Sequence, residues 1–305
     1  MTSNGVKGVI SIDLGVTDLA RSKDFYATVW LLTPVLETDS AVYFRGSAPY
    51  HHILAIHRRP AAELLRVNLM APDRQSIDTL HARIVKTKPA LIEAPAQGSE
   101  PDGGYGFAFK DPEGRTIRIL TNDHHHTTTL SDPDKPNKVT HVVMNTPNRA
   151  AMAAYYCETM NFRVIDETKL MTFLCAGTDH HCIAMMQHPT VSLNHIAFET
   201  ANIDAVMRGI GRLRENGVAV EWGAGRHGPG NNVFAYFIGP EGEIIEYTSE
   251  VMQVDDNYRV GTPNDWGFPP GRFDHWSVTA GPTANYTAAQ GKILFARDIF
   301  HPSRT

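Results

Sequence analysis

The sequence predicts an α+β protein that consists of two tandem copies of one module and a C-terminal tail. The first observation is a phrase that occurs twice. Alternating apolar residues flank Pro112-Glu113-Gly114, and the same pattern flanks Pro240-Glu241-Gly242, 128 residues later. Proline and glycine at these positions favour a tight turn, so each phrase predicts a β-hairpin. The second observation is that other segments repeat at nearly the same offset, which indicates duplication of a whole module.

The opening strand of each copy is a short apolar segment. Residues 9–16 form it in the first copy and residues 137–144 in the second, again 128 residues apart. A His-His pair precedes a later apolar strand in both copies, as His51-His52 and as His180-His181. These pairs are 129 residues apart, whereas the other matched segments are 128 apart, so the two copies differ in length by one small insertion or deletion.

The central strand of each copy precedes a predicted helix. Residues 65–69 match residues 193–197 at the offset of 128, and both segments have the apolar pattern of a buried strand. A polar break follows, and then a helical pattern at residues 73–85 or 202–216. Each module therefore has the order strand, helix, several strands, strand, helix and hairpin.

These patterns divide the chain into four parts. We expect an N-terminal module without metal at residues 1–123, a linker at 124–138, a catalytic module at 139–250 and a tail at 251–305. The linker is rich in Thr, Asp and Pro, which favour loops. Its run of three histidines, residues 124–126, cannot point at one ion from regular backbone, so we interpret it as solvated. The tail contains many Gly, Pro and aromatic residues, and we expect it to pack over the active site.

Composition limits the class of protein. The formal net charge of -5 gives no support for nucleic-acid binding, which normally requires basic clusters. No apolar run approaches the ~20 residues that span a bilayer, and the N-terminus lacks the pattern of a signal peptide. Three cysteines without a CxxC pair favour neither a disulfide scaffold nor a thiolate zinc site. We expect a cytoplasmic protein, and its 15 histidines make metal chemistry worth testing.

Three residues of metal-binding type lie on separate predicted strands of the second module: His141, His195 and Glu246. At the offset of 128 the first module has no such set, because the matching residues are Asp13, Val67 and Arg118. Two imidazoles and one carboxylate form the facial triad that binds non-haem iron(II) and leaves coordination positions open. A single histidine on a strand is usually structural, but three residues of ligand type at equivalent points of one repeat indicate a site.

The phrases around these residues resemble type I extradiol ring-cleavage dioxygenases of the vicinal oxygen chelate (glyoxalase/bleomycin resistance/dioxygenase) superfamily. The resemblance covers about residues 6–276. It implies two tandem vicinal-oxygen-chelate modules, each a pair of βαβββ repeats that curl into a half-open barrel. The phrases that carry it are Val139-Thr140-His141-Val142-Val143, Leu193-Asn194-His195-Ile196-Ala197-Phe198-Glu199 and Glu243-Ile244-Ile245-Glu246-Tyr247.

The resemblance also implies roles for residues around the triad. His181 matches the acid–base histidine of the family, and His227 and Tyr236 match catalytic residues that also bind the substrate. Asn232 and His275 are expected to bind substrate as well. Because side chains alternate along a strand, we expect His180 to face away from the site. Candidates for the pocket wall are Phe173, Met185, Phe198, Trp222 and Phe268.

The activity that the resemblance implies is extradiol cleavage of a catecholic ring with O₂, giving a ring-opened semialdehyde or ketone acid. The implied cofactor is Fe(II), although Mn(II) accepts the same ligands. The expected partners are a catecholic small molecule and O₂, with no nucleic acid and no membrane, and we expect a homo-oligomer.

Two other functions of the same superfamily are alternatives. A glyoxalase-like isomerase or lyase typically shares four metal ligands between two modules, whereas the first module here offers Asp13 at best. A non-catalytic ligand-binding or resistance protein holds its ligand without metal, and His141, His195 and Glu246 argue against that function.

Overall fold

A computed structural model describes residues 5–121 and 124–300. Residue 123, the predicted end of the first module, lies outside the described residues. The first module contains helix α1 (Leu19–Asp24), which continues into a π-helical segment (Phe25–Val29), and helix α2 (Arg74–Val85). Its strands are β1 (Gly8–Val16), β2 (Thr33–Glu37), β3 (Ala41–Arg45), β4 (Leu54–Arg58), β5 (Glu63–Ala71), β6 (Ala96–Gln97), β7 (Tyr105–Lys110) and β8 (Thr116–Thr121).

The second module repeats this order, with helices α3 (Arg149–Met160) and α4 (Ile203–Glu215). Its strands are β9 (Lys138–Thr146), β10 (Arg163–Glu167), β11 (Met171–Cys175), β12 (Ile183–Gln187), β13 (Ser192–Glu199), β14 (Trp222–Arg226), β15 (Val233–Ile238) and β16 (Ile244–Ser249). The tail adds helix α5 (Ala284–Ala289) and strand β17 (Leu294–Phe295). None of the described helices has the length and hydrophobicity required to cross a bilayer.

Both modules have the same strand pairing. The opening strand pairs with the central strand in antiparallel orientation, as β1 with β5 and β9 with β13. The central strand pairs with the last strand in parallel orientation, as β5 with β8 and β13 with β16. The predicted α+β class and the duplication are confirmed, and the sheets remain open rather than closing into complete barrels.

The offset between equivalent elements decreases along the chain. Gly8 of β1 corresponds to Lys138 of β9, an offset of 130, and Leu54 of β4 corresponds to Ile183 of β12, an offset of 129. The offset reaches 128 in the final hairpin. The first module has one additional residue before β4 and another between α2 and β7. The uniform offset of 128 was therefore wrong for the opening and central strands.

The predicted helices that follow the central strands are confirmed. The Asp73 carboxylate accepts a hydrogen bond from the Ser76 backbone amide (2.7 Å), and the side-chain oxygen Oδ1 of Asn202 accepts one from the Ala205 backbone amide (3.0 Å). Side chains of this type satisfy amide groups that the first helical turn leaves free. The caps begin α2 and α4 at equivalent positions of the two modules.

The two modules pack reciprocally, with each hairpin turn at the other module's first helix. The hydroxyl of Thr17, before α1, donates to Glu241 (2.7 Å), and that of Thr146, before α3, donates to Glu113 (2.7 Å). Trp30, from the first module, is fully buried and stacks on Tyr247 of the second, with ring centroids 3.7 Å apart. One hydrophobic core continues through both modules.

The tail contacts both modules and not only the second, over whose active site it was expected to pack. Thr279 accepts a hydrogen bond from the Trp222 indole (3.0 Å), so the middle of the tail lies on the second module. Strand β17 then pairs with Ser192 of β13 and with Glu63 of β5. Phe300 is buried against Leu65 of the first module.

The predicted linker follows the end of the first module. The Leu130 amide donates to Ser47 O (2.9 Å), which holds the linker beside β3. His124 and His125 are exposed, and the ring of His126 stacks on that of His51. The linker's exact limits stay a prediction.

Candidate metal centre

The register of three adjacent strands brings the predicted ligands together. Ala197 in the central strand β13 lies opposite His141 of β9 on one side and opposite Glu246 of β16 on the other. His195 precedes Ala197 by two residues and therefore points to the same face of the sheet. The ligand atoms of the two histidines and the glutamate lie within 4.8 Å of one another, and all three residues are buried.

Hydrogen bonds fix which nitrogen of His195 faces the glutamate. The side-chain oxygen Oδ1 of Asn194 lies 2.8 Å from His195 Nδ1, while its side-chain nitrogen Nδ2 donates to Asn145 Oδ1 (2.9 Å). The Asn145 amide in turn donates to the Ser192 hydroxyl (2.9 Å), and because that hydroxyl itself donates to Thr190 O (3.4 Å), this chain of amides has one direction. His195 must therefore carry its proton on Nδ1 and present a lone pair at Nε2.

That lone pair meets the carboxylate of Glu246 without a proton between them. His195 Nε2 lies 3.3 Å from Glu246 Oε2, and within residues 5–121 and 124–300 this buried atom has no hydrogen-bond partner; the same holds for His141 Nδ1. The same carboxylate oxygen is 3.2 Å from His141 Nε2. Two electron-rich atoms buried at this distance repel each other unless a cation lies between them. The residues present thus fit a divalent metal ion of the type that imidazole and carboxylate bind.

The protonation states also suit metal binding. Burial opposes ionisation of Glu246, but its charge interactions with His141 and His195 and its hydrogen bond with His141 outweigh this effect and hold the pKa of the carboxyl well below its usual range. Burial also lowers the pKa of His195, although Glu246 counteracts this effect. An ionised carboxylate and a neutral imidazole are the forms that bind metals.

His181 lies beside the three candidate ligands. Its ring centroid is 4.3 Å from that of His141 and 5.0 Å from that of Phe173. Burial, reinforced by the neighbouring histidines, lowers the pKa of His181 well below its ordinary value. The imidazole is therefore neutral near pH 7 and can accept a proton.

His180 does not face away from His181. The alternation of side chains holds within a strand, but β12 begins at Ile183, so both histidines precede the regular backbone. His180 Nδ1 lies 3.0 Å from His181 Nδ1, and His180 Nε2 lies 2.7 Å from the carboxylate of Asp166. Strand alternation therefore does not apply to this pair, and the expectation that His180 faces away from the site stays a prediction.

His227 and Tyr236 form a pair on the other side of the triad. His227 Nε2 is 2.9 Å from the Tyr236 hydroxyl, and the Tyr236 ring centroid is 5.1 Å from that of His195. Burial lowers the pKa of His227 to about 4 and raises the pKa of Tyr236 well above its usual value. A neutral imidazole and a neutral phenol therefore line this side.

Two other predicted site residues contact protein groups. The Asn232 amide donates to Glu246 Oε1 (3.3 Å) and to the Thr248 hydroxyl (2.8 Å), so Asn232 orients the candidate ligand. His275 is exposed, its amide donates to Arg226 O (2.8 Å), and its ring contacts Phe268.

The candidates for the pocket wall divide into two groups. Phe173 contacts His181, and Trp222 stacks on Tyr236, so both lie at the site. Met185 and Phe198 are fully buried in the main hydrophobic core and do not form the wall.

The first module has a charge network at the equivalent place. Asn68 faces both Ser11 and Arg118, as Ala197 faces His141 and Glu246, so the structural equivalents of the ligands are Ser11, Arg66 and Arg118. Asp13 and Val67 were wrong assignments because the true offsets there are 130 and 129. Arg66 donates to Asp13 (3.1 Å) and to Glu100, and Arg118 donates to Asp102 (2.9 Å).

Sequence reasoning missed three polar residues that orient the site: Asn145, Asn194 and Asp166. Each is buried, and each contacts a histidine of the site or a residue that does. Asn145 and Asn194 appear in the sequence only as polar side chains inside largely apolar strands, and Asp166 lies in a strand that also contains charged residues.

Comparisons with known proteins agree with this geometry. The model of the Glyoxalase/Bleomycin resistance protein/Dioxygenase superfamily matches residues 138–247, the range that contains all three candidate ligands. Metapyrocatechase 2 of Cupriavidus necator is 23% identical over 57% of this chain and 61% of its own length. An iron-dependent extradiol dioxygenase of Rhodococcus jostii (strain RHA1) is 26% identical over 49% of this chain and 57% of its own length. The chain thus spans about three fifths of these two relatives.

A solved structure extends the likeness to nearly the whole chain. The Mn(II)-bound glyoxalase from Novosphingobium aromaticivorans is 31% identical, with a TM-score of 0.86 over 92% of this chain and 94% of that one. Together with the family match, this similarity shows that the chain belongs to the Glyoxalase/Bleomycin resistance protein/Dioxygenase superfamily.

Proposed function

We propose that this chain is an extradiol dioxygenase that uses Fe(II) and O₂ to cleave a catecholic ring beside its hydroxyl pair. The observation that carries the proposal is the convergence of a two-histidine, one-carboxylate cluster with a neutral histidine, His181, and a phenol, Tyr236. The names of the two curated relatives support this reaction class.

His141, His195 and Glu246 would hold the metal. Bound there, Fe(II) supplies Lewis acidity toward the catechol hydroxyls and one-electron chemistry toward O₂. Mn(II) suits the same ligands, and a relative that binds it is 31% identical to this chain.

His181 is the proposed acid–base residue. Its neutral imidazole can accept a proton from a catechol hydroxyl and return it later in the reaction. Its position beside His141 puts it next to the metal ligands without making it one of them. In this proposal, His181 moves the proton and the triad holds the metal.

His227 and Tyr236 are proposed to orient the substrate. Their mutual hydrogen bond fixes the phenol, and the stacked rings of His227 and Phe234 (3.9 Å between centroids) hold the imidazole. Aromatic side chains around them, including Trp222, restrict access of water to the reacting groups.

The test is anaerobic loading with Fe(II), followed by exposure to O₂ and a panel of substituted catechols. We expect yellow ring-opened products and uptake of one O₂ for each ring opened. Glu246→Gln should lose both signals together with its iron. Iron-loaded protein that opens none of the rings would contradict the proposal.

A glyoxalase-like isomerase is the second candidate, and the similarity to the glyoxalase from Novosphingobium aromaticivorans favours it. The two functions differ in their use of oxygen, because an isomerase rearranges its substrate without consuming O₂. Turnover that continues under strict anaerobic conditions would favour the isomerase.

A further inference from the structure

A buried chain of three side chains connects Asp166 of β10 with the candidate site. Asp166 Oδ2 lies 2.7 Å from His180 Nε2, and His180 Nδ1 lies 3.0 Å from His181 Nδ1. Asp166 and His180 are fully buried, and His181 is nearly so. The proton positions along this chain are therefore set by the protein and not by solvent.

The carboxylate of Asp166 defines one end of the chain. Its Oδ1 accepts a hydrogen bond from the Gly261 amide (2.6 Å), and its Oδ2 accepts one from the Tyr258 hydroxyl (3.1 Å). A carboxylate that already receives these bonds acts as an acceptor toward its third partner, His180. His180 Nε2 must then carry a proton and donate it.

The position of that proton determines the remaining ones. With His180 as a neutral imidazole, which has one N–H, its Nδ1 presents a lone pair. The 3.0 Å contact between the two Nδ1 atoms needs one proton, which His181 must supply. His181 Nε2 is then left with a lone pair, and it has no hydrogen-bond partner in the described part of the chain.

We propose that Asp166 and His180 are positioning residues, which hold His181 in the tautomer that carries its proton on Nδ1 and offers Nε2 to the substrate. The inference rests on the proposed role of His181 in ring cleavage. Without the carboxylate, the proton shared by the two histidines could lie on either one. With it, His181 has a free acceptor at the site before substrate arrives.

The first module provides an internal comparison. It keeps the paired histidines, since His51 Nδ1 lies 3.0 Å from His52 Nδ1. The position of Asp166, however, is occupied by Leu36, which follows the same irregularity in strand pairing. His51 is half-buried and stacks on His126. The carboxylate therefore accompanies the module that has the metal-binding residues.

The direct test determines the tautomer by nuclear magnetic resonance. Two-bond ¹H–¹⁵N correlations on full-length protein with ¹⁵N-labelled histidine rings distinguish Nδ1–H from Nε2–H. The protein is examined metal-free and loaded with diamagnetic Zn(II), and spectra of His181→Gln and His180→Gln assign the signals. Wild type is expected to show His181 as the Nδ1–H form. An Nε2–H form in wild type would overturn the inference, whether or not any variant folds.

Asp166→Asn tests the cause. The Gly261 amide requires an acceptor, so the new amide nitrogen should face His180 and donate to it. Both histidines then reverse, and His181 becomes Nε2–H. Tyr258→Phe is the matched control, because it removes one contact of Asp166 and leaves the carboxylate bonded to His180. An unchanged His181 tautomer in folded Asp166→Asn would overturn the inference.

Kinetics provide the second readout. In Fe(II)-loaded protein, Asp166→Asn should lower kcat by an amount on the order of 10²–10⁴-fold, as for loss of general acid–base catalysis, with KM close to wild type. Tyr258→Phe should retain most of kcat. Wild type that opens no catechol would refute the proposed function, while the tautomer measurement would still decide the positioning role. A reversed His181 tautomer in Asp166→Asn together with full kcat would overturn the positioning role.

Discussion

The orientation of single side chains decides what the candidate metal centre can bind. Asn194 offers no ligand, yet its carbonyl oxygen fixes the proton of His195 on Nδ1 and leaves Nε2 for a metal. Asn145 holds Asn194 in that orientation. Partners of metal ligands commonly select the ligating nitrogen in this way.

Asn194→Ala should therefore weaken metal binding without removing a ligand. We expect the affinity for Fe(II) to fall by about 10–100-fold, which is typical for loss of a partner that orients a metal ligand. Anaerobic competition titration with a chelator measures the change. Asn257→Ala, an exposed position in the tail, is the control and should bind like wild type. Equal affinities of the two variants would show that Asn194 does not orient His195.

The sequence predicted the candidate ligands better than the residues that orient them. His141, His195 and Glu246 were predictable because their side chains have ligand chemistry and lie on three separate strands of one module, whereas the other module has no such set. The contacts of Asp166 with Gly261 and of Asn194 with Asn145 join distant parts of the chain. Nothing in local spacing reports such pairs.

At the scale of strands and helices, the predicted order was correct but the alignment of the modules was not. Two single-residue differences change the offset from 130 at β1 to 128 at β8. A shift of one residue moves a side chain to the opposite face of a sheet. Val67 therefore lies in the hydrophobic core, whereas Arg66, at the next position, lies in the charge network with Asp13. The hairpin phrases were aligned correctly because both single-residue differences lie earlier in the chain, and the offset of 128 holds at the hairpins.

The cap of α4 contributes to stability independently of the metal centre. Asn202→Ala removes the acceptor for the Ala205 amide and should lower the free energy of unfolding by about 1 kcal/mol. Urea unfolding of metal-free protein measures it, with the exposed Asn285→Ala as control. Metal affinity should not change, since the ligands lie on strands. A loss equal to that of Asn285→Ala would contradict the capping role.

The junction between the π-helical segment and the hairpin before β16 is predicted to make stability depend on pH. Burial raises the pKa of Glu243 to about 7, although hydrogen bonds from the Tyr26 hydroxyl and the Glu241 amide act in the opposite direction. The folded state thus holds a proton that the unfolded chain releases near its ordinary value of 4.5. Stability from this group is present below the unfolded value and is lost as the pH rises toward 7.

Glu243→Gln should remove this dependence. Unfolding by urea at about pH 5 and about pH 8 should show a smaller loss of stability for the variant than for wild type. The exposed Glu215→Gln should behave like wild type. A variant that loses as much stability as wild type over this range would show that Glu243 is not the responsible group.

At the scale of the whole molecule, two similar modules differ in the side chains that occupy the equivalent place in each. Glu241 contacts Thr17, and Glu113 contacts Thr146. The hairpin turn of each module thus packs at the first helix of the other module. The site of the first module is filled by ion pairs of Arg66 and Arg118. The path of the tail to the first module, where Phe300 is buried, was not predictable from its irregular sequence. Among the described residues, the duplicated modules thus contain one candidate metal centre, in the second module.

The measurement that tests this account most directly is the number of Fe(II) ions bound per chain in anaerobic equilibrium titration. Wild type should bind one, and Glu246→Gln should lose it at the same free metal concentration. Ser11→Ala, which alters the structural equivalent of His141 in the first module, should still bind one. Binding of two ions per chain, or full retention of iron by Glu246→Gln, would contradict the assignment of the metal centre to the second module.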